Sequence, residues 1–278
     1  MQDALVRSLL DEFLSVYVFQ PATAFWRAIE IAAVVEAPFP KGRGLDLGCG
    51  DGKLTKIVDA RIGGRTWVGV DLNPVDVALA KERGLYERLV VASVAKIPEP
   101  DASFDFVFAN SVVEHVQPID ETLAEIARLL KPGGEFVNTV PSSDYHATLR
   151  GPLLPWVRRS DYLDDIDHRM AHLRYWSLAE WRTQLARHGL EITETVDYLT
   201  RGEMRRYETL VRMTSGVVAT LFGRRKTTTQ MQEALGLRRQ TLALPAPLRA
   251  ALGAAMFAGV DRRLGPFGGL YMRATKRR

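Results

Sequence analysis

Two carboxylates, a glycine cluster and an imidazole stand at positions where this chain can do chemistry. The stretch Leu45-Asp46-Leu47-Gly48-Cys49-Gly50-Asp51-Gly52 reads as an apolar strand running directly into a helix. Glycines in such a turn let the chain reverse tightly and let a ligand approach backbone amides that a Cβ would cover. The spacing is Gly-x-Gly-x-Gly, without the Gly-x-Gly-x-x-Gly of a dinucleotide pyrophosphate loop. Asp46, four positions before Gly50, suits an ammonium group better than a pyrophosphate. Asp71 closes the next apolar run, Val68-Gly69-Val70-Asp71-Leu72. There, about twenty residues past the glycine turn, an acid can take both hydroxyls of a ribose. Capping the helix that opens at Asn73-Pro74 is the plainer role for Asp71. Glu114-His115 follow a further apolar run, and an imidazole beside a carboxylate can act as a general base. Organising their own loop is the alternative for that pair.

The elements needed to position these groups are legible as well. Apolar runs at 43–47, 66–72, 88–94, 104–110, 135–141 and 191–198 read as strands, and helical patterns lie at 53–60, 75–83 and 119–130. Near-continuous apolar runs are what strands covered on both faces show. Strand–helix alternation of this kind predicts a doubly wound, mostly parallel α/β sheet. A last run at 269–275 adds a seventh strand. Leu5, Leu9 and Phe13 mark an amphipathic first helix, and a second runs over 22–36 until Pro38 and Pro40. The expected organisation is N-terminal helices over 1–41 that cap the pocket, then a core over 42–200 with a lid-like insertion at 142–174. A basic helical elaboration follows over 201–266, and a returning strand over 267–278. The insertion carries Tyr145, His146, Asp164, Asp165, Asp167, His168 and His172. On one helix His168, His172 and Asp164 would share a face, a pattern a metal could use. A solvated lid is the simpler reading, and no metal is expected. Trp176 and Trp181 read as anchors of a helix on the sheet.

Asp46-x-Gly48-x-Gly50-x-Gly52, then Asp71, then Ser103-Phe104-Asp105-Phe106-Val107, then Leu130-Lys131-Pro132-Gly133-Gly134 form an ordered series. It resembles the motif series of class I S-adenosylmethionine-dependent methyltransferases, of the ubiquinone-biosynthesis and small-molecule type. The resemblance implies a Rossmann-like seven-stranded fold and S-adenosylmethionine as cofactor, with S-adenosylhomocysteine as product. It implies that Asp46, Gly48, Cys49, Gly50 and Gly52 hold the methionine end, Asp71 the ribose and Leu72 the adenine, while Asn110 lines the methionine side. Where many members of the family carry an acid for the adenine amino group, this chain reads Ala92-Ser93-Val94-Ala95. Ser93 or the Val94 amide is left to make that contact. A sulfonium is already activated, so alignment and water exclusion are the main tasks. A base, His115 with Glu114, is needed only for an acceptor with an acidic proton.

Composition narrows the partners. Cys49 is the only cysteine, which excludes a disulfide framework and fits a reducing, cytoplasmic setting. From Arg201 onward the chain carries a net +12, and before it −8. Arg201, Arg205, Arg206, Arg212, Arg224, Arg225 and Lys226 interleave with apolar pairs, a pattern suited to peripheral contact with an anionic inner-membrane surface. A solubilising surface explains the same charges. The expected acceptor is a small or lipid-linked molecule, methylated at O, N or C. The alternatives are a nucleic-acid methyltransferase or a non-catalytic cofactor-binding relative. The first is disfavoured because Asn110-Ser111-Val112-Val113 lacks the Asn/Asp-Pro-Pro-aromatic motif of amino-methylating nucleic-acid enzymes, and the second because Asp46, Gly48, Gly50 and Asp71 are intact.

Overall fold

The computed structural model describes residues 3–214, 243–263 and 265–278. They divide into two compact units, the first drawn from Met1–Ala32, Ser143–Tyr175 and Tyr198–Gly269, the second from Ala33–Ser142, Trp176–Asp197 and Leu270–Arg278. Among the described residues the strands are β1 (Arg43–Leu47), β2 (Thr66–Asp71), β3 (Tyr86–Val91), β4 (Phe104–Asn110), β5 (Leu130–Pro141), β6 (Leu190–Thr200) and β7 (Phe267–Lys276). They form one sheet in the order β3-β2-β1-β4-β5-β7-β6. Pairings of β1 with β2 and β4, of β2 with β3 and of β4 with β5 are all parallel. The winding turns back between β1 and β4. At such a switch the connections from neighbouring strands diverge and leave a crevice beyond their carboxyl ends.

In the second unit α3 (Lys53–Ile62), α4 (Pro74–Glu82), α5 (Ile119–Leu129) and α8 (Leu178–Arg187) accompany the sheet. Asn73 caps α4 by accepting from the Val75 N–H at 3.0 Å, with Pro74 preset in the first turn. Ser177 and Glu180 close a capping box on α8, and Trp176 packs on buried Trp181 with ring centroids 4.8 Å apart. A core of Leu45, Leu47, Val68, Val70, Phe104, Val107, Phe136 and their neighbours lies fully out of water. Elsewhere in the unit Trp67 meets Phe106 edge-on at 5.1 Å. Strand boundaries shift from the expectation, most at β3, which spans Tyr86–Val91, and at β5. β5 begins at Leu130, because Phe104 pairs with Leu130 and Phe106 with Glu135 across a register shift. The Lys-Pro-Gly-Gly stretch is thus an irregular part of the strand.

The first unit contains α1 (Asp3–Val16), α2 (Pro21–Val35, to Ala32), α6 (Tyr145–Thr148), α7 (Arg159–Met170), α9 (Arg201–Met213) and α10 (Ala246–Phe257). α1 packs on α10 through Leu10 against Gly253, and Arg249 bonds Asp11 at 2.9 Å. Buried Glu30 accepts from Arg27 at 2.5 Å and from the Tyr198 hydroxyl at 3.1 Å. α7 stops at Met170 because Ala171 adopts a left-handed conformation with φ 56°. His172 therefore lies off the helix, which corrects the expectation that it shares a helical face with His168 and Asp164. Of the basic elaboration expected over 201–266, α9 and α10 are described. Residues 215–242 and 264, with Arg224, Arg225 and Lys226 among them, lie outside the described residues. No helix among the described residues is long and apolar enough to cross a membrane.

Candidate functional site

Asp46, Asp71 and Asn110 stand at or near the carboxyl ends of β1, β2 and β4, at the switch in strand order. The glycine turn between β1 and α3 is held from the neighbouring strand. The N–H groups of Gly48 and Cys49 donate to the Val70 carbonyl at 2.8 and 3.0 Å, and that of Gly52 to the Cys49 carbonyl at 3.1 Å. Gly50 donates to Asp71 Oδ2 at 2.8 Å, while Asp71 Oδ1 accepts from the Asn73 N–H at 2.9 Å. Two backbone bonds thus fix the plane of the Asp71 carboxylate, and each oxygen keeps a lone pair for a hydroxyl.

This geometry corrects the expectation that the turn offers its amides to a ligand, since those of Gly48, Cys49, Gly50 and Gly52 are already engaged. What the turn offers is bare backbone. Gly50 has φ +53°, and a Cβ there would meet nothing within 4 Å. Cys49 is buried, and burial pushes its thiol well above the usual range, so its side chain is inert. Gly52 is buried beside the ring of Tyr86.

Asp46 is 3% exposed, and its Oδ2 accepts from the Thr55 hydroxyl and the Tyr86 hydroxyl, each at 2.6 Å, while neither bond engages Oδ1. Burial pushes its pKa up to about 6, against the pull of the two hydroxyl bonds. Tyr86 reaches Asp46 by lying across Gly69 of β2, where a Cβ would sit 2.9 Å from its ring. A glycine inside a strand marks such a close approach, and Gly69 was the signal in the sequence that Tyr86 belonged to the site.

The raised pKa makes a stability prediction. Folding favours the protonated form of Asp46, so its contribution is fully present below about pH 4 and is lost as pH rises through about 6. Asp46→Asn keeps an acceptor for both hydroxyls without the charge. At pH 7.5 the variant should be the more stable by up to about 3 kcal/mol, the cost of roughly two pKa units, and the two proteins should converge near pH 4. Urea midpoints at the two pH values measure this. An equal difference at both would show that Asp46 is not titrating.

Asn110 brings another acceptor to the strand ends. Its Nδ2 lies 3.5 Å from the Ser111 hydroxyl, while its Oδ1 is buried with no hydrogen bond among the described residues. An orphaned buried acceptor is costly unless a donor arrives. Beside Asp71, Leu72 and Val91 expose 71% and 52% of their surfaces, an apolar patch of the kind a flat heteroaromatic ring covers. Ser93 is exposed and its hydroxyl accepts from the Ala95 N–H at 3.3 Å, so part of its capacity is spent on the turn. Val94 packs on the core. Glu114 and His115 form a single 3-10 turn after β4, with Glu114 buried, His115 exposed and His115 Nε2 3.6 Å from Glu114 Oε1.

The first unit holds a second polar cluster. Tyr145 stacks on Tyr175 at 5.3 Å, and Trp26 meets Tyr207 edge-on at 4.9 Å. His146 Nε2 lies 2.8 Å from Asp167 Oδ1, and the same oxygen accepts from the Tyr175 hydroxyl. His172 Nδ1 is 2.9 Å from that hydroxyl. An ionised carboxylate only accepts, so the Tyr175 proton points to Asp167 and the Tyr175 oxygen accepts from His172 Nδ1–H. In neutral His172 the lone pair then sits on Nε2. Tyr175 was missed in the sequence because its partner at 167 lies across the helix break at Ala171.

Residues 45–138 match the family described as a methyltransferase domain. A 24-methylenesterol C-methyltransferase 2 from Oryza sativa is 32% identical over 146 residues, covering 46% of this chain and 40% of the relative. A ubiquinone biosynthesis O-methyltransferase from Marinobacter nauticus is 32% identical over 106 residues, 35% of this chain and 44% of the relative. Among solved structures, a methyltransferase from Thermotoga maritima described as a possible histamine N-methyltransferase superposes with TM-score 0.57 at 17% identity, covering 98% of this chain and all of that one. The matched stretches span about a third to a half of the length of the curated relatives. The fold is that of the Rossmann-like methyltransferases. Residues 45–138 of this chain thus carry a methyltransferase domain.

Proposed function

We propose that this protein transfers the methyl group of S-adenosylmethionine to a small or lipid-like acceptor. The observation that carries the reading is one constellation at the strand switch: bare Gly50, a fixed Asp71 carboxylate and the unpaired Asn110 Oδ1. The residues fit the cofactor. Asp71 would take the ribose hydroxyls, Gly50 would let the sulfonium end pass close to the backbone, and Asp46 Oδ1 and Asn110 Oδ1 would accept from the ammonium. Leu72 and Val91 would cover the adenine, with Ser93 or the Val94 amide at its edge, and Gly48, Cys49 and Gly52 would shape the turn. The bound cofactor supplies an activated methyl group, and the protein supplies alignment and exclusion of water.

His115, held by Glu114, would take the proton of an acidic acceptor. Sterol and quinone-pathway names among the relatives support an apolar acceptor. Calorimetric titration of the full chain with S-adenosylmethionine tests the cofactor. Absence of binding would overturn the proposal. Incubation with radiolabelled cofactor and separate lipid and water-soluble extracts tests the acceptor class, and label confined to the aqueous fraction would remove the lipid-like version.

A further inference from the structure

The first unit carries a loop whose ends are held down while its middle is left in water. The N–H groups of Arg150 and Gly151 donate to the Glu208 carboxylate of α9 at 2.9 and 3.4 Å, and Arg212 of α9 donates to the Gly151 carbonyl. At the far end the Arg159 guanidinium donates to the carbonyls of His146 at 2.7 Å and Leu149 at 3.4 Å. Between these anchors Leu153, Leu154 and Trp156 are 76%, 45% and 75% exposed. Three large apolar side chains within four residues on a pinned loop are not the scattered exposure that any surface shows.

We infer that residues 152–157 form a tip that inserts into the interfacial layer of an anionic phospholipid bilayer. The backbone suits that environment, where unsatisfied polar groups are costly. Pro155 has no N–H, and the Val157 N–H donates to the Leu154 carbonyl at 3.1 Å. Tryptophan favours the boundary between head groups and acyl chains, where one edge is apolar and the other wet. Arg150 and Arg158 flank the tip, Arg158 with its side chain 80% exposed although it pairs with Asp161. Guanidinium groups at that depth match lipid phosphates in charge and geometry. A protein partner fits less well. A stable interface takes about 800 Å² and roughly 20–30 residues from each side, far more than this tip offers. The inference does not depend on methyl transfer or on the basic residues of 215–242.

Sedimentation of the full chain with vesicles of phosphatidylcholine alone, or mixed with phosphatidylglycerol, tests it. The wild type should pellet with the mixed vesicles. Leu153→Ser/Leu154→Ser/Trp156→Ser should lose about tenfold or more in partitioning at both low and high salt, as expected when apolar burial is removed. Arg150→Gln/Arg158→Gln should weaken binding at low salt only. Unchanged thermal unfolding and S-adenosylmethionine affinity in the serine variant would exclude misfolding as the cause. The inference is overturned if the wild type stays in the supernatant with both vesicle types, or if the serine variant pellets as the wild type does. Self-association of the wild type that the serine variant abolishes, with no vesicle binding, would overturn it in favour of a contact between copies.

Discussion

Alanine at His115 is expected to lower turnover by about 10²–10⁴ with S-adenosylmethionine affinity nearly unchanged, the span that general-base catalysis supplies. The expectation rests on the exposed imidazole that follows β4 and on the buried Glu114 beside it. An unchanged rate would remove His115 from the mechanism. A fall in cofactor affinity in His115→Ala would instead assign Glu114-His115 to shaping the turn. Single-turnover rates and calorimetric affinities for the wild type and the variant separate these results.

Asp71→Ala should weaken cofactor binding by about 1–3 kcal/mol, a factor of roughly 5–150, through lost hydrogen bonds to a charged acceptor. The structure adds a second source of loss. Without the carboxylate the N–H groups of Gly50 and Asn73 lose their acceptors, so the turn and the start of α4 loosen together. Asp71→Asn tells the two apart. An amide can still accept from one backbone N–H, so it should preserve thermal stability better than alanine does while still losing affinity for the ribose. Wild-type affinity in both variants would remove Asp71 from the cofactor site.

The strands and their order of use were readable because each is a short apolar run ended by a turn residue, and because acids close two of them. Asp71 could be placed from its position alone, since a residue at a strand end in this fold sits at the rim whatever surrounds it. The partners that hold Asp46 could not be, since Tyr86 comes from 40 residues downstream across an intervening strand. The helix break before His172 was equally hidden, because alanine carries no signal for a left-handed backbone. Assembly of the first unit from three separated stretches leaves no periodic trace either. Residue patterns report local geometry, and these features are long-range.

The order β5-β7-β6 has a consequence for how the chain is made. β7 follows β6 in sequence but lies between β5 and β6 in space. Until residues up to Lys276 have emerged, β5 has an unfilled edge and β6 lacks the neighbour that joins it to the sheet. More than sixty residues separate Thr200 from Phe267, several seconds of synthesis at about 5–20 residues per second. Throughout that interval the nascent protein presents an unsatisfied strand edge, the kind of surface that pairs with other chains. Chaperone dependence and sensitivity to C-terminal truncation would then arise from strand order alone, independently of the chemistry at the opposite half of the sheet.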